Sequence, residues 1–143
     1  MWPFKSEYAT ASWILARHMR DMFQPTVNLE QCVGLNSIFL RCPNITEYKH
    51  NLDTETRAKV ERFCLERVHR IIDAIDPRKI VTIGFSTLKL FGETEPYSIN
   101  AKGRVLTRRG RIGSRGAIAM LHLSGARISK EDRARIGASV LAE

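Results

Sequence analysis

The feature that most constrains this chain is a set of three short apolar runs: "LNSIFL" at 35–40, "KIVTIG" at 79–84 and "AIAMLHL" at 117–123. Longer stretches of helical periodicity separate them. A run that is apolar at nearly every position has no wet face, so it suits a strand buried on both sides. Such strands, alternating with helices, build parallel sheets. The pattern predicts an α/β fold: a three-layer sandwich with a short parallel β-sheet flanked by helices. A chain of 143 residues has room for one domain with a substantial core, and a single domain over 1–143 is expected.

The intervening segments carry helix signals. "TASWILARHMRDMF" sets Ala11, Ile14, Leu15, His18, Met19 and Met22 on one side at helical spacing, which predicts a helix from Thr10 to Phe23 ended by Gln24-Pro25. In "DTETRAKVERFCLERVHRIIDAIDP", Val60, Phe63, Cys64, Val68, Ile71, Ile72 and Ile75 recur at three- and four-residue steps. Asp53 or Thr54 is the N-cap and Pro77 closes the helix. "STLKLFG" reads as a short helix with Gly92 behind it, and "YSINAKGRVLTRRGRIGSRG" as a hairpin around Lys102-Gly103 followed by a glycine-punctuated basic loop. Ser129 with Asp132 makes a capping-box-like start for a last helix.

Composition narrows the class. Hydrophobic residues at 43% and charged residues at 27% are the balance of an ordinary globular protein. No apolar run approaches the roughly 20 residues of a membrane span. The first residues lack the apolar core of a signal peptide, so a cytoplasmic location is expected. Cys32, Cys42 and Cys64 are too few and too widely spaced for a disulfide framework or a zinc ribbon, and Cys64 falls on the apolar face of its helix. The formal net charge is +8, and from Ala101 to Gly116 there are six Lys or Arg residues and no acid. Such a stretch is either a solvated basic loop or a surface for a polyanion.

In parallel sheets functional groups gather at the carboxyl ends of the strands. That rule would bring together "FLRCPN", "GFS" and "HLSGAR", with His122 and Ser124 flanking Leu123 and so sharing a side. No Ser/His/Asp triad follows, since no acid is placed to orient the imidazole. "GRIGSRG" leads into a strand instead of opening a helix, so the dinucleotide fingerprint fails.

"LNSIFLR", "IVTIGFSTLKLFG" and "HLSGAR", in this order, resemble the landmarks of the uracil-DNA glycosylase superfamily over roughly Trp2 to the C-terminus. The resemblance implies that Asn36 reads the base, its amide offering a donor and an acceptor side by side. Phe4, in Trp2-Pro3-Phe4, would stack on that base. His122 would hydrogen-bond a uracil carbonyl oxygen and stabilise the anion that develops as the glycosidic bond breaks. Ser124 would grip a neighbouring phosphate. Gly125, Ala126 and Arg127 would form the loop that enters the duplex, although the family often places a bulky apolar wedge where Ala126 stands. Lys102, Arg104, Arg108, Arg109, Arg111 and Arg115, with the glycines between them, would approach phosphates beside the DNA. On the residues alone, Asn36 is equally a polar group bonded to its own backbone, and His122 a satisfied strand-end histidine.

Two departures go with the resemblance. In the family a strand and a glycine-rich loop with the water-activating residue precede the "PF", whereas this sequence begins at Met1, past that point. The 35–40 strand is then expected to pair directly with the 79–84 strand, to find a partner chain, or to fray. "LRCPNITEY" and "RFC" also resemble the stretch holding two cysteines of the iron–sulfur subfamilies, but four thiolates are the rule and three cysteines do not supply them. No metal and no cofactor is expected. The expected function is that of a DNA-binding glycosylase in base excision repair, a hydrolase that flips out and excises uracil or another deaminated base. The alternative is a catalytically inactive nucleic-acid-binding or regulatory module on the same fold.

Overall fold

The computed structural model describes residues 6–39, 44–123 and 127–142. Its contacts group the chain into two compact units, Met1–Gly34 with Lys79–Glu143, and Leu35–Arg78.

At the start of the first unit, the helix expected over Thr10–Phe23 begins later, as α2 (Ile14–Phe23), and a separate short helix, α1 (Glu7–Thr10), precedes it. The carbonyl groups at a helix end need partners, and here the next helix supplies them. The Arg20 guanidinium reaches back to the carbonyl oxygens of Tyr8 and Ala11 at 3.1 and 2.8 Å, so the chain turns between the two helices. The buried side of α2 is Leu15, Ala16 and Phe23, while Ile14 is exposed. The apolar stripe is therefore rotated from the expected one.

The unit Leu35–Arg78 is helical: α3 (Ile45–Asn51) and α4 (Thr54–Ile75). Asp53 caps α4 as expected, its carboxylate accepting the Thr56 N–H at 2.9 Å and the Thr56 hydroxyl at 2.6 Å. These hydrogen bonds hold the Asp53 carboxyl below the usual carboxylate range. Of the predicted stripe, Cys64, Val68 and Ile72 are buried, whereas Phe63 and Ile75 are exposed. The strand expected over Leu35–Leu40 does not form in residues 35–39, where Leu35 and Phe39 are exposed; Leu40 lies outside the described residues. A strand needs a ladder partner for its backbone groups, and among its described residues this unit contains helices and no strand.

The sheet belongs to the other unit. β1 (Val81–Ile83) is followed by α5 (Phe85–Lys89), β2 (Thr94–Ile99), β3 (Val105–Ile112), β4 (Arg115–Met120) and α6 (Lys130–Ala142), with sheet order β1-β4-β3-β2. Val81 pairs with Ile118 and Ile83 with Met120 in the parallel pair β1–β4, whereas β4–β3 and β3–β2 are antiparallel. The sheet is thus mixed, not the all-parallel one expected. The cause is the segment expected as a basic loop, which instead forms a hairpin. Ile112 pairs with Arg115 across Gly113-Ser114, and Gly113 has φ 59°. A two-residue connection led by a positive-φ glycine joins antiparallel neighbours and leaves no length for a parallel crossover.

Helices cover both sides of this sheet. On β3, Thr107 and Gly110 are three residues apart and so face opposite ways. The Thr107 hydroxyl lies 3.3 Å from that of Ser139 on α6, whereas Gly110 lies against Leu88 of α5. The α6 side holds the main core of Leu15, Phe23, Leu29, Leu106, Ile118, Met120, Leu123, Ile136 and Val140. At the far end of α6, the Lys79 ammonium donates to the Val140 carbonyl. Among the described residues, no helix is long and apolar enough to cross a membrane.

Two glycines of the hairpin give a direct test of this packing. A Cβ on Gly110 would meet the Glu93 carbonyl oxygen at 3.0 Å and methyls of Leu88 and Thr94 at 3.2 Å, whereas one on Gly116 would meet nothing within 4 Å. Gly110→Ala should destabilise the protein by about 1–3 kcal/mol through overpacking, and Gly116→Ala should leave it unchanged or slightly more stable, both read by urea unfolding.

Candidate nucleic-acid interface

β4 ends at Met120, and the chain beyond it is tied on both flanks. The Gly84 N–H donates to the Met120 carbonyl at 2.8 Å, and the Leu121 N–H to the Leu106 carbonyl at 3.2 Å. Gly84 has φ +90°, which favours glycine at the turn from β1 into α5. Leu123 is buried in the core and His122, just before it, is exposed. The histidine thus stands at the carboxyl end of the parallel pair, where it was expected. Ser124, Gly125 and Ala126 lie outside the described residues, and Arg127 resumes the chain, exposed.

The turn between β2 and β3 reaches the same end of the sheet. Thr107 pairs with Met120 and the Leu121 N–H bonds the Leu106 carbonyl, so the start of β3, with Arg104 and Lys102 before it, lies at the end of the sheet from which His122 emerges. Asn100 organises this turn. Its carboxamide oxygen accepts the N–H groups of Lys102 at 3.0 Å and Arg104 at 2.9 Å. Its amide nitrogen donates to both Asp132 oxygens, at 3.3 and 3.1 Å. Gly103, with φ +79°, closes the turn. Asp132 sits in the first turn of α6, where its N–H is capped by the Ser129 hydroxyl at 3.0 Å, as expected of that pair. Arg104 donates from Nη1 to the Arg127 carbonyl at 2.8 Å, and Arg133 to the Ile128 carbonyl at 2.9 Å. The backbone at Arg127 and Ile128 is therefore held by two guanidinium groups.

The other arginines point elsewhere in the sheet. Arg111 pairs with Gly116, six residues back from His122, or about 20 Å along the strand direction. Arg109 is opposite Ile118. Each has local partners: Arg108 donates to the Thr94 hydroxyl and carbonyl at 2.8 and 2.7 Å, Arg109 to Glu95 at 2.6 Å, and Arg111 to the Ser114 carbonyl. Around Arg109 and Arg111 lies an open groove of about 440 Å³ that is also lined by Glu93 and Glu95. Its charge is mixed.

Asn36 is exposed on an irregular stretch of the unit Leu35–Arg78, not at a strand end, and Phe4 and Cys42 lie outside the described residues. Burial pushes the Cys32 thiol up, which disfavours the thiolate that a metal would need. Among the described residues, no group of three or more His, Cys, Asp or Glu side chains is placed to hold a metal ion. Sequence reasoning placed Lys102 and Arg104 in the basic stretch but missed Asn100. Asn100 preceding a Lys-Gly turn is a signal for a side chain that satisfies turn amides, but its link to Asp132 spans 32 residues and has no local signature.

The chain matches no protein-family model, no curated protein and no solved structure.

Removing the Asn100 carboxamide should loosen this whole corner. Asn100→Ala is expected to cost about 1–3 kcal/mol, the range for leaving polar groups unpaired. It should also speed hydrogen exchange at the Lys102 and Arg104 amides while exchange in β4 keeps its relative protection.

Proposed function

We propose that this protein binds DNA at the carboxyl end of β1 and β4 and excises uracil or another deaminated base there, in the manner of the uracil-DNA glycosylase superfamily that its sequence resembles. The observation that carries the reading is the position of His122. It is exposed immediately beyond β4, with Arg127 across the 124–126 loop and the Lys102–Arg104 turn alongside.

In this reading a flipped pyrimidine presents a carbonyl oxygen to the imidazole N–H of His122. Breakage of the C1′–N1 bond leaves the electron pair on the base, and the donor lowers the energy of that developing anion. Water then adds to C1′, and its proton ends on the departing base. Ser124, Gly125, Ala126 and Arg127 hold the backbone and occupy the space left in the duplex. Arg108, Arg109 and Arg111 are engaged with Thr94, Glu95 and Ser114 and take no direct part.

A second reading is a nucleic-acid-binding module without catalysis. It is favoured by Asn36, which no strand holds in a fixed orientation. Release of free base from labelled oligonucleotides carrying one uracil, hypoxanthine or xanthine, single- and double-stranded, separates the two. Base release that drops about 10²–10³-fold in His122→Ala, the usual loss for one donor to a developing anion, is the expected result. Salt-sensitive binding without release leaves the second reading. Neither binding nor release defeats both.

A further inference from the structure

Resting on the reading of this sheet end as a DNA-binding surface, we infer that the β2–β3 turn is a phosphate-binding element. In it Lys102 contacts the sugar–phosphate backbone directly, while Arg104 holds the backbone at Arg127 against the same strand. The arginines of the β3–β4 hairpin are not the contacts.

Three observations carry this. First, the turn is rigid before any ligand arrives. Asn100 fixes two of its amides and ties it to Asp132, so Lys102 projects from a preformed support. Ordering cost is what preorganisation removes from binding. Second, Lys102 is exposed and has no ion pair with a described residue, whereas Arg109 is paired with Glu95 and lies over the Tyr97 ring. A phosphate at Arg109 would have to compete with a carboxylate already 2.6 Å away. Third, the local charge balance differs between the two places. The turn carries Lys102 and Arg104 and reaches the Arg127 carbonyl, and the carboxylate hydrogen-bonded to it, Asp132, is already engaged by Asn100. Around the groove at the other place, Arg109 and Arg111 face Glu93 and Glu95. Excess cation faces a polyanion at one place and is neutralised at the other.

Arg104 differs in role from Lys102. Its guanidinium spends one donor on the Arg127 carbonyl, the first described residue after the 124–126 loop. It acts as a positioning residue, fixing the backbone at Arg127.

The test is the salt dependence of binding to an undamaged duplex oligonucleotide, which needs no excision. Each phosphate contact contributes about −0.9 to the slope of log K against log salt concentration. Lys102→Gln should flatten the slope by about that amount, weaken binding and leave thermal stability unchanged. Arg109→Gln and Arg111→Gln should leave the slope as in the parent protein. For Arg104, Arg104→Lys keeps the charge and should retain the slope while base release falls, because a lysine does not reproduce the guanidinium geometry that holds Arg127. Binding whose slope is unchanged in Lys102→Gln but flattened in Arg109→Gln or Arg111→Gln overturns the inference and leaves the DNA-binding reading standing. Absence of duplex binding by the parent protein at low salt defeats the reading itself. Equal base release by Arg104→Lys and the parent overturns the positioning role.

Discussion

Everything in the sheet-bearing unit depends on β4 being enclosed on all sides. Ala117, Ile118, Ala119 and Met120 are all buried. Their backbone is matched by β1 in parallel on one edge and β3 in antiparallel on the other. Alternate side chains meet α5 on one face and the core under α6 on the other. The two alanines are small enough for a helix to pack closely over them, while Ile118 and Met120 fill the larger core. At about 25 cal/mol per Å² of buried apolar surface, this enclosure draws its hydrophobic stabilisation mainly from Ile118 and Met120, the larger side chains. It is also the reason that His122 has a defined place. A side chain two residues beyond a strand locked on both edges inherits the strand's position.

The distribution of charge follows from the same topology. A stretch with six cations in sixteen residues looks in one dimension like a single basic patch. Folding into two hairpins sends it back and forth along the sheet. Lys102 and Arg104 arrive at the carboxyl end of β4, and Arg111 arrives at the start. Glu93 and Glu95, outside the basic stretch in sequence, come to lie among the arginines of β3 because β2 pairs with β3. The same net charge therefore gives one corner with excess positive charge and one groove of mixed charge.

Much of the local structure was legible. The β-branched run 81–83, the Asp53 cap with its long helix, the Ser129–Asp132 start of α6 and the turn at Lys102-Gly103 each rest on contacts within a few residues, and such contacts are written in adjacent letters. The misreadings share a cause. "RRGRIGSRG" reads as a loop because its arginines are polar on both faces. Yet Ile112-Gly113-Ser114-Arg115 carries a two-residue hairpin signal, and Gly110 is a glycine because Leu88, Thr94 and the Glu93 carbonyl leave no room. "LNSIFL" reads as a strand from propensity, but propensity is expressed only where a ladder partner exists. The break after α1 depends on Arg20, nine residues beyond one of the carbonyls it satisfies.

For the candidate site the division is similar. The sequence by itself determined that His122 ends a buried apolar run, that cations crowd 102–115, and that helices and strands alternate as in an α/β fold. These follow from residue type and spacing, which local sterics and burial translate directly. Only the tertiary structure decided that the sheet is mixed, that Asn100 joins Asp132 across 32 residues of chain, and that Lys102 and Arg104, in place of Arg109 and Arg111, share an end with His122. Those outcomes depend on which strand edges meet. Pairing is set by the free energy of the whole sheet with its two covering layers, a quantity that no single stretch of sequence contains.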